Sequence, residues 1–341
     1  MKFLKHSLTT LLLGLFIIGI TANVQAQDKR ALFKTYNKAL DLASQGEYEQ
    51  AINMFNQAIQ QAKELGGEDA QNIVQRSEDQ LPQIYYQIAI EEYKNFQQQK
   101  SIESLDATIE AFRQTEDIAA EYGKSQTADK AANVITQLLY SKSLIQYQQK
   151  NYEQSLATLD EVIERNPNYA KAYYQKAIIV KSIKENGLEE AIALFDKAIE
   201  VGSNVNASQI VSRAKENAYS TLVFHGVNEI QNQNYDRAIE LLNQALTYDS
   251  TAAGAHYRLA SAYNKTQDWQ KALTHAQKGL ELESGGKTER AKIYFELATA
   301  YQALGQKGNA CSAYSNAAYG SFKAPAEHQM EYTLECEATT N

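Results

Sequence analysis

One short pattern recurs along this chain and sets what it can fold into. A turn residue, often followed by an aromatic, leads into a helical stretch with a small residue and apolar neighbours one, four and seven positions later. Gly46, Tyr48, Ala51, Ile52, Phe55 and Ala58 form one copy. The same spacing joins Asn151, Tyr152, Ser155, Leu156, Leu159 and Val162. It returns at Ala191–Ile192–Phe195–Ala198, Ala238–Ile239–Leu242–Ala245, Ala272–Leu273–Ala276–Gly279 and Ala310–Cys311–Tyr314–Ala317. A weaker copy begins at Ser101–Ile102, with Leu105 and Thr108. Apolar residues at this period occupy one face of a helix. A second amphipathic stretch precedes the pattern, clearest in Tyr257, Leu259, Ala260 and Tyr263. Small residues on both stretches let two antiparallel helices approach closely. A pair of this size cannot bury its apolar face alone and has to stack on copies of itself.

Composition agrees. Among 341 residues there are only 3 Pro and 16 Gly, and 44% are hydrophobic, which favours long helices and permits a continuous core. The steps between the small residues are 50, 54, 36, 47, 34 and 38, so the surplus length falls early. It lies in segments 62–81 and 113–133, which read as prolonged helices and loops rather than inserted domains. Pro82 is expected near a helix start or at a kink, and Gly202–Asn206 at a break.

These copies resemble the tetratricopeptide repeat family, whose unit is 34 residues. The residues that carry the resemblance are the seven second-helix patterns, with Leu259-Ala260-x-x-Tyr263 and Leu297-Ala298-x-x-Tyr301 on first helices. The resemblance implies an all-α, right-handed superhelical solenoid of about seven antiparallel helix pairs over residues 27–320. Residues 321–341 then supply a capping helix and a frayed tail. It also implies that the first helices line a concave wall where such proteins bind peptides.

Fifteen residues before the small residues sit Tyr36, Tyr86, Tyr140, Val223, Tyr257 and Phe295, and a two-residue insertion puts Tyr174 at the equivalent point. On the resemblance these aromatics either form a ladder that grips an extended ligand or pack the helix pairs, and the sequence leaves both open. Tyr147, Lys181, Asn264 and Gln302, about two turns on, belong to the same wall.

The N-terminus is of another kind. Lys2 and Lys5 precede an apolar run over 8–20, and Val24-Gln25-Ala26 offers small residues for cleavage. That is the pattern of a signal peptide over 1–26, too short for a membrane span. Export to a periplasm or the exterior is therefore expected, with no membrane insertion after cleavage. Without that segment, 31 basic residues (33 less Lys2 and Lys5) face 41 acidic ones, a net charge of −10. Such a charge argues against nucleic acid, whose affinity rests on basic residues at phosphates.

Cys311 and Cys336 stand alone, and an oxidising compartment favours their pairing. Neither a metal-ligand spacing nor a nucleophile or phosphate-loop motif occurs in the sequence. His256 and His275 fall on the paired helices of one copy, where contact between them serves packing. Asn206-Ala-Ser208 and Asn264-Lys-Thr266 fit the glycosylation sequon. The expectation is a non-enzymatic scaffold of the cell envelope, with no cofactor and no metal, that binds a protein or peptide. The competing expectation is a glycan or small-molecule binder that uses the same aromatic surface.

Overall fold

The computed structural model describes residues 26–184 and 186–336, so the expected signal segment, except Ala26, and the tail lie outside the described residues. Ala26 begins the first helix, α1, over 26–44. The chain divides into two compact units at Asn166–Pro167, where one solenoid over 27–320 is expected. The residue before a proline is driven out of the helical region, and Asn166 is extended at φ −141°, ψ 90°.

The first unit holds α1, α2 (Tyr48–Leu65), α3 (Glu68–Gln99), α4 (Ile102–Glu121), α5 (Ser125–Gln148) and α6 (Tyr152–Arg165). The second holds α7 (Ala170–Ile183), α8 (Leu188–Asn204), α9 (Ser208–Gln231), α10 (Tyr235–Tyr248), α11 (Ala253–Lys265), α12 (Trp269–Leu282), α13 (Lys287–Ala303), α14 (Lys307–Ala317) and α15 (Lys323–His328). Both units are all-α runs of helix hairpins, each stacked on the next, and no strand occurs among the described residues. None of these helices is long and apolar enough to cross a membrane.

Within each hairpin a small first-helix residue meets a small second-helix residue. Ala39, Ala89, Ser143, Ala177, Ala260 and Ala298 are fully buried on first helices, and Gly226 takes the same place in α9. Their second-helix counterparts Ala51, Ser155, Ala191, Ala238, Ala272 and Ala310 are also fully buried. In the second hairpin the sequence points to Ser101, and the structure corrects this. Ser101 is the N-cap of α4, its hydroxyl accepting from the Ser104 amide at 3.1 Å, as a serine at a helix start favours. Fully buried Thr108 fills the crossing, its hydroxyl 3.0 Å from the Glu92 carbonyl of α3 and 2.8 Å from that of Ser104.

The surplus length of the early steps goes into helix. α3 runs 32 residues, α4 20 and α5 24, against 14 in α6. Pro82 does not start α3 but lies inside it, buried.

Five hairpin turns share one closure. Gly46, Lys150, Gln233, Gln267 and Gly305, each five residues before the small second-helix residue, have φ between 63° and 78°. The next amide reaches back five residues in every case, as in Glu47 N–H to the Leu42 carbonyl (2.9 Å) and Asp268 N–H to the Tyr263 carbonyl (2.9 Å). This is a Schellman closure, which satisfies carbonyls that a helix end leaves unpaired.

At the C-terminus the expected cap is present but broken. A 3-10 turn (Gly320–Phe322), α15 and a π-turn (Gln329–Thr333) follow one another. Phe322 lies 5.4 Å from Phe295, while Ala326 is buried with Met330 and Leu334 packed beside the last hairpins. A disulfide joins Cys311 of α14 to Cys336, with 5.8 Å between Cα atoms.

Candidate functional site

The aromatic series turns first toward its own hairpin. Tyr36 meets Phe55 edge-on at 5.7 Å, Tyr86 meets Phe112 at 5.7 Å, Tyr174 meets Phe195 at 6.0 Å and Phe295 meets Tyr314 at 5.4 Å. Edge-on rings of this kind add to the burial energy of a pair. Tyr86 keeps its partner although α3 and α4 are longer, because an antiparallel hairpin that grows by similar lengths on both sides preserves the pairing. Tyr36 is 6% exposed, which leaves little of it for a ligand to touch. Tyr140 is half-buried, and Tyr147 lies 5.7 Å from Tyr152.

Tyr257 differs. Four residues after Ala272 comes Ala276, not an aromatic, so α12 offers its ring no partner ring. The Lys292 ammonium from α13 lies 5.4 Å from the centre of that ring instead. Burial, with Glu296 adding to it, raises the Tyr257 hydroxyl above the ordinary tyrosine range.

In the second unit, successive first helices are joined by polar side chains. Between α7 and α9, the Asn217 amide donates to Tyr174 Oη at 3.1 Å. Lys181 Nζ lies 3.4 Å from Asn217 Oδ1 and 3.5 Å from Thr221 Oγ1. Both acceptors are neutral, and among the described residues no carboxylate pairs with Lys181. Burial lowers its ammonium below the usual lysine range. Between α11 and α13, Asn264 Nδ2 donates to the Glu296 carbonyl (2.9 Å) and carboxylate (2.8 Å). Burial pushes the Glu296 carboxyl up, while hydrogen bonds from Asn264 and Ser261 and the charge of Lys265 pull it down. Asn264 is 6% exposed, so it serves the helix contact more than the wall, and its sequon is closed to a glycan. Gln302 accepts from Tyr314 at 2.8 Å.

Lys181 and Tyr174 thus come together around Asn217, while Tyr257 feels the charge of Glu296, to which Asn264 is bonded. Asn217, Thr221, Lys292 and Glu296 were not legible as members. Asn217 and Thr221 lie on α9, six and two residues before Val223, at positions that the repeated pattern does not mark. Lys292 stands three residues before Phe295, one turn back on the same face, which is the signal that would have found it.

Among the described residues no cluster of three or more His, Cys, Asp and Glu side chains is placed to hold a metal ion.

The fold and this wall define a helical-repeat protein. Models of the tetratricopeptide repeat match residues 229–285 and 136–169. These two stretches are tetratricopeptide repeats. No curated protein matches it. Among solved structures, a crystal structure of MamA protein is 15% identical, with 58% of this chain and 95% of that one covered and a TM-score of 0.34. YrrB, described as a tetratricopeptide repeat protein with an unusual peptide-binding site, is 15% identical over 57% of this chain and 91% of its own, at 0.34. The TPR2AB domain of yeast Sti1 in complex with pHSP90 is 13% identical over 73% and 96%, at 0.30. At such scores these likenesses bear on neither arrangement nor ligand.

Proposed function

We propose that this protein is a non-catalytic scaffold of the cell envelope that holds an extended segment of a partner protein along its first helices. The family match supports a protein partner, and the apolar run over 8–20 with its small-residue end supports export. The observation that carries the reading is Lys181, an exposed lysine of α7 whose ammonium lies against the neutral Asn217 and Thr221 of α9, with no carboxylate paired to it among the described residues. A cation already partly stripped of water and fixed by Asn217 and Thr221 loses little freedom on meeting a carboxylate.

Crosslinking in intact envelope is the test. It is expected to capture one or a few specific proteins, and Lys181→Ala is expected to weaken that binding about 10- to 100-fold, the worth of a charge-assisted bond. Replacing Tyr140, Tyr174 and Tyr257 together by Ala is expected to abolish it. Unchanged capture by a folded Lys181→Ala protein removes Lys181 from the site. Saturable binding of a cell-wall glycan with no enriched protein overturns the whole reading.

A further inference from the structure

Helices α11 and α12 are joined by a contact found at no other hairpin among the described residues. His256 Nδ1 lies 3.0 Å from His275 Nδ1, with the ring centroids 5.2 Å apart. His256 is 8% exposed. Tyr263 stacks on the other face of His275 at 5.4 Å and 23°. Gly279, one turn after His275, packs against the same place: a Cβ on it would be in ordinary contact with His256 Cβ at 3.5 Å and Ile293 Cγ2 of α13 at 3.4 Å.

The proton inventory follows from the neighbours. His256 Nε2 lies 3.4 Å from the Ser250 carbonyl, which only accepts, so this nitrogen carries the hydrogen. His256 Nδ1 is then the acceptor, and His275 Nδ1–H donates to it. One added proton, at His275 Nε2, leaves that bond intact but puts a cation beneath the Tyr263 ring, partly out of water. A second proton has only His256 Nδ1 to go to, where it points at the His275 N–H across 3.0 Å.

We propose that the His256–His275 contact is an acid-sensitive joint, which ties α11 to α12 while the imidazoles share one hydrogen and forces them apart once both are cations. The groups around it have mixed signs. Lys278 of α12 opposes the charged form of His256 and Glu281 of α12 favours it. Lys271 sits over the Tyr263 ring at 5.3 Å, but Asp268 holds it in an ion pair at 2.7 Å. From α10 the neutral Asn243 amide reaches Tyr263 Oη at 3.4 Å, and from α13 the joint meets Ile293. Nearby carboxylates therefore do not cancel the repulsion. Burial, with His256 adding to it, lowers His275 to about 4, and burial lowers His256 as well. Histidine in an unfolded chain titrates near 6.5. The open form thus binds more protons than the closed one as pH falls from about 6.5 toward 4. The joint is firm above that window and weakens through it.

The first unit is an internal reference, since no histidine occurs between residues 26 and 166. Amide exchange on the full chain, corrected for intrinsic pH dependence, is the test. Between pH 7 and pH 4.5 the opening of α11 and α12 is expected to rise about 10- to 60-fold relative to α2 and α3. The upper figure is the linkage value for a group moved from 6.5 to about 4, and the lower allows for solvent screening. His275→Gln keeps a donor for His256 Nδ1 and cannot take a charge, and it is expected to abolish the excess. Equal acid response in the two units, or the same excess in a folded His275→Gln protein, overturns the proposal. If that variant does not fold, nitrogen chemical shifts of the wild-type imidazoles decide. Titration of His256 and His275 as a coupled pair below pH 6 supports the joint, and ordinary titration near 6.5 for both refutes it.

Discussion

Hairpins α5–α6 and α9–α10 make the same close approach with different atoms. In the first, Ser143 faces Ser155, whose hydroxyl donates 2.7 Å to the Ser143 carbonyl. In the second, Gly226 faces Ala238, and among the described residues no hydroxyl bonds across that point; Asn234 donates to Glu229 at the turn (2.8 Å). A Cβ at Gly226 would come 2.9 Å from Leu242 Cγ. One crossing is held by a bond, the other by the absence of an atom. A bond fixes how far one helix slides along its partner and forgives small changes of volume. Shape forgives the loss of a polar group but not the addition of a methyl. The second unit, with alanine or glycine at most crossings, depends on fit.

If fit governs the second unit, loss of volume there is the severest change. Phe195→Ala, at a fully buried site, is expected to cost about 3–5 kcal/mol. Amide exchange is expected to show α7 and α8 losing protection while α1 to α6 keep theirs. Cys311→Ser with Cys336→Ser removes the tie on the cap and is expected to cost about 3 kcal/mol for a separation of 25 residues. The thermal midpoint, and its insensitivity to reductant in the double variant, check this. Gly226→Ala sharpens the comparison most directly. Overpacking against Leu242 outweighs the gain in helix propensity, for a net loss of about 1–2 kcal/mol. Ser155→Ala loses one buried bond and keeps the volume nearly constant, so denaturant unfolding is expected to show about 0.5–1.5 kcal/mol. Should Gly226→Ala prove neutral, fit does not control α9–α10. The smallest effect is a gain: Gln267→Gly relieves a left-handed residue at φ 63° and is expected to raise stability by about 0.5–1 kcal/mol.

Most of the fold was legible because its determinants are local. The small residue and its apolar neighbours mark each second helix, and all but one crossing falls where the pattern puts it. The exception, Ser101 against Thr108, arose because threonine is not small by composition. It fits only because its hydroxyl returns to the Glu92 and Ser104 carbonyls. Less of the wall was readable. The spacing located Tyr174 and Lys181, but no residue pattern says that Asn217 of the next hairpin will bridge them. Nor does it tell that Asn264, polar and on the expected face, turns inward to Glu296. Contacts between hairpins depend on how far each first helix extends beyond the motif, and α9 extends by about two turns.

The shared turn closure has a consequence for how the molecule comes into being. Five of the hairpins are sealed by backbone bonds that reach back five residues, and bonds such as Lys29–Asp69 and Tyr248–Asp196 reach only 40 and 52 residues along the chain. Nothing distant has to be found before a piece can settle. A nascent chain can lay down one hairpin while the next is still being made, and the ordering cost is met in small instalments.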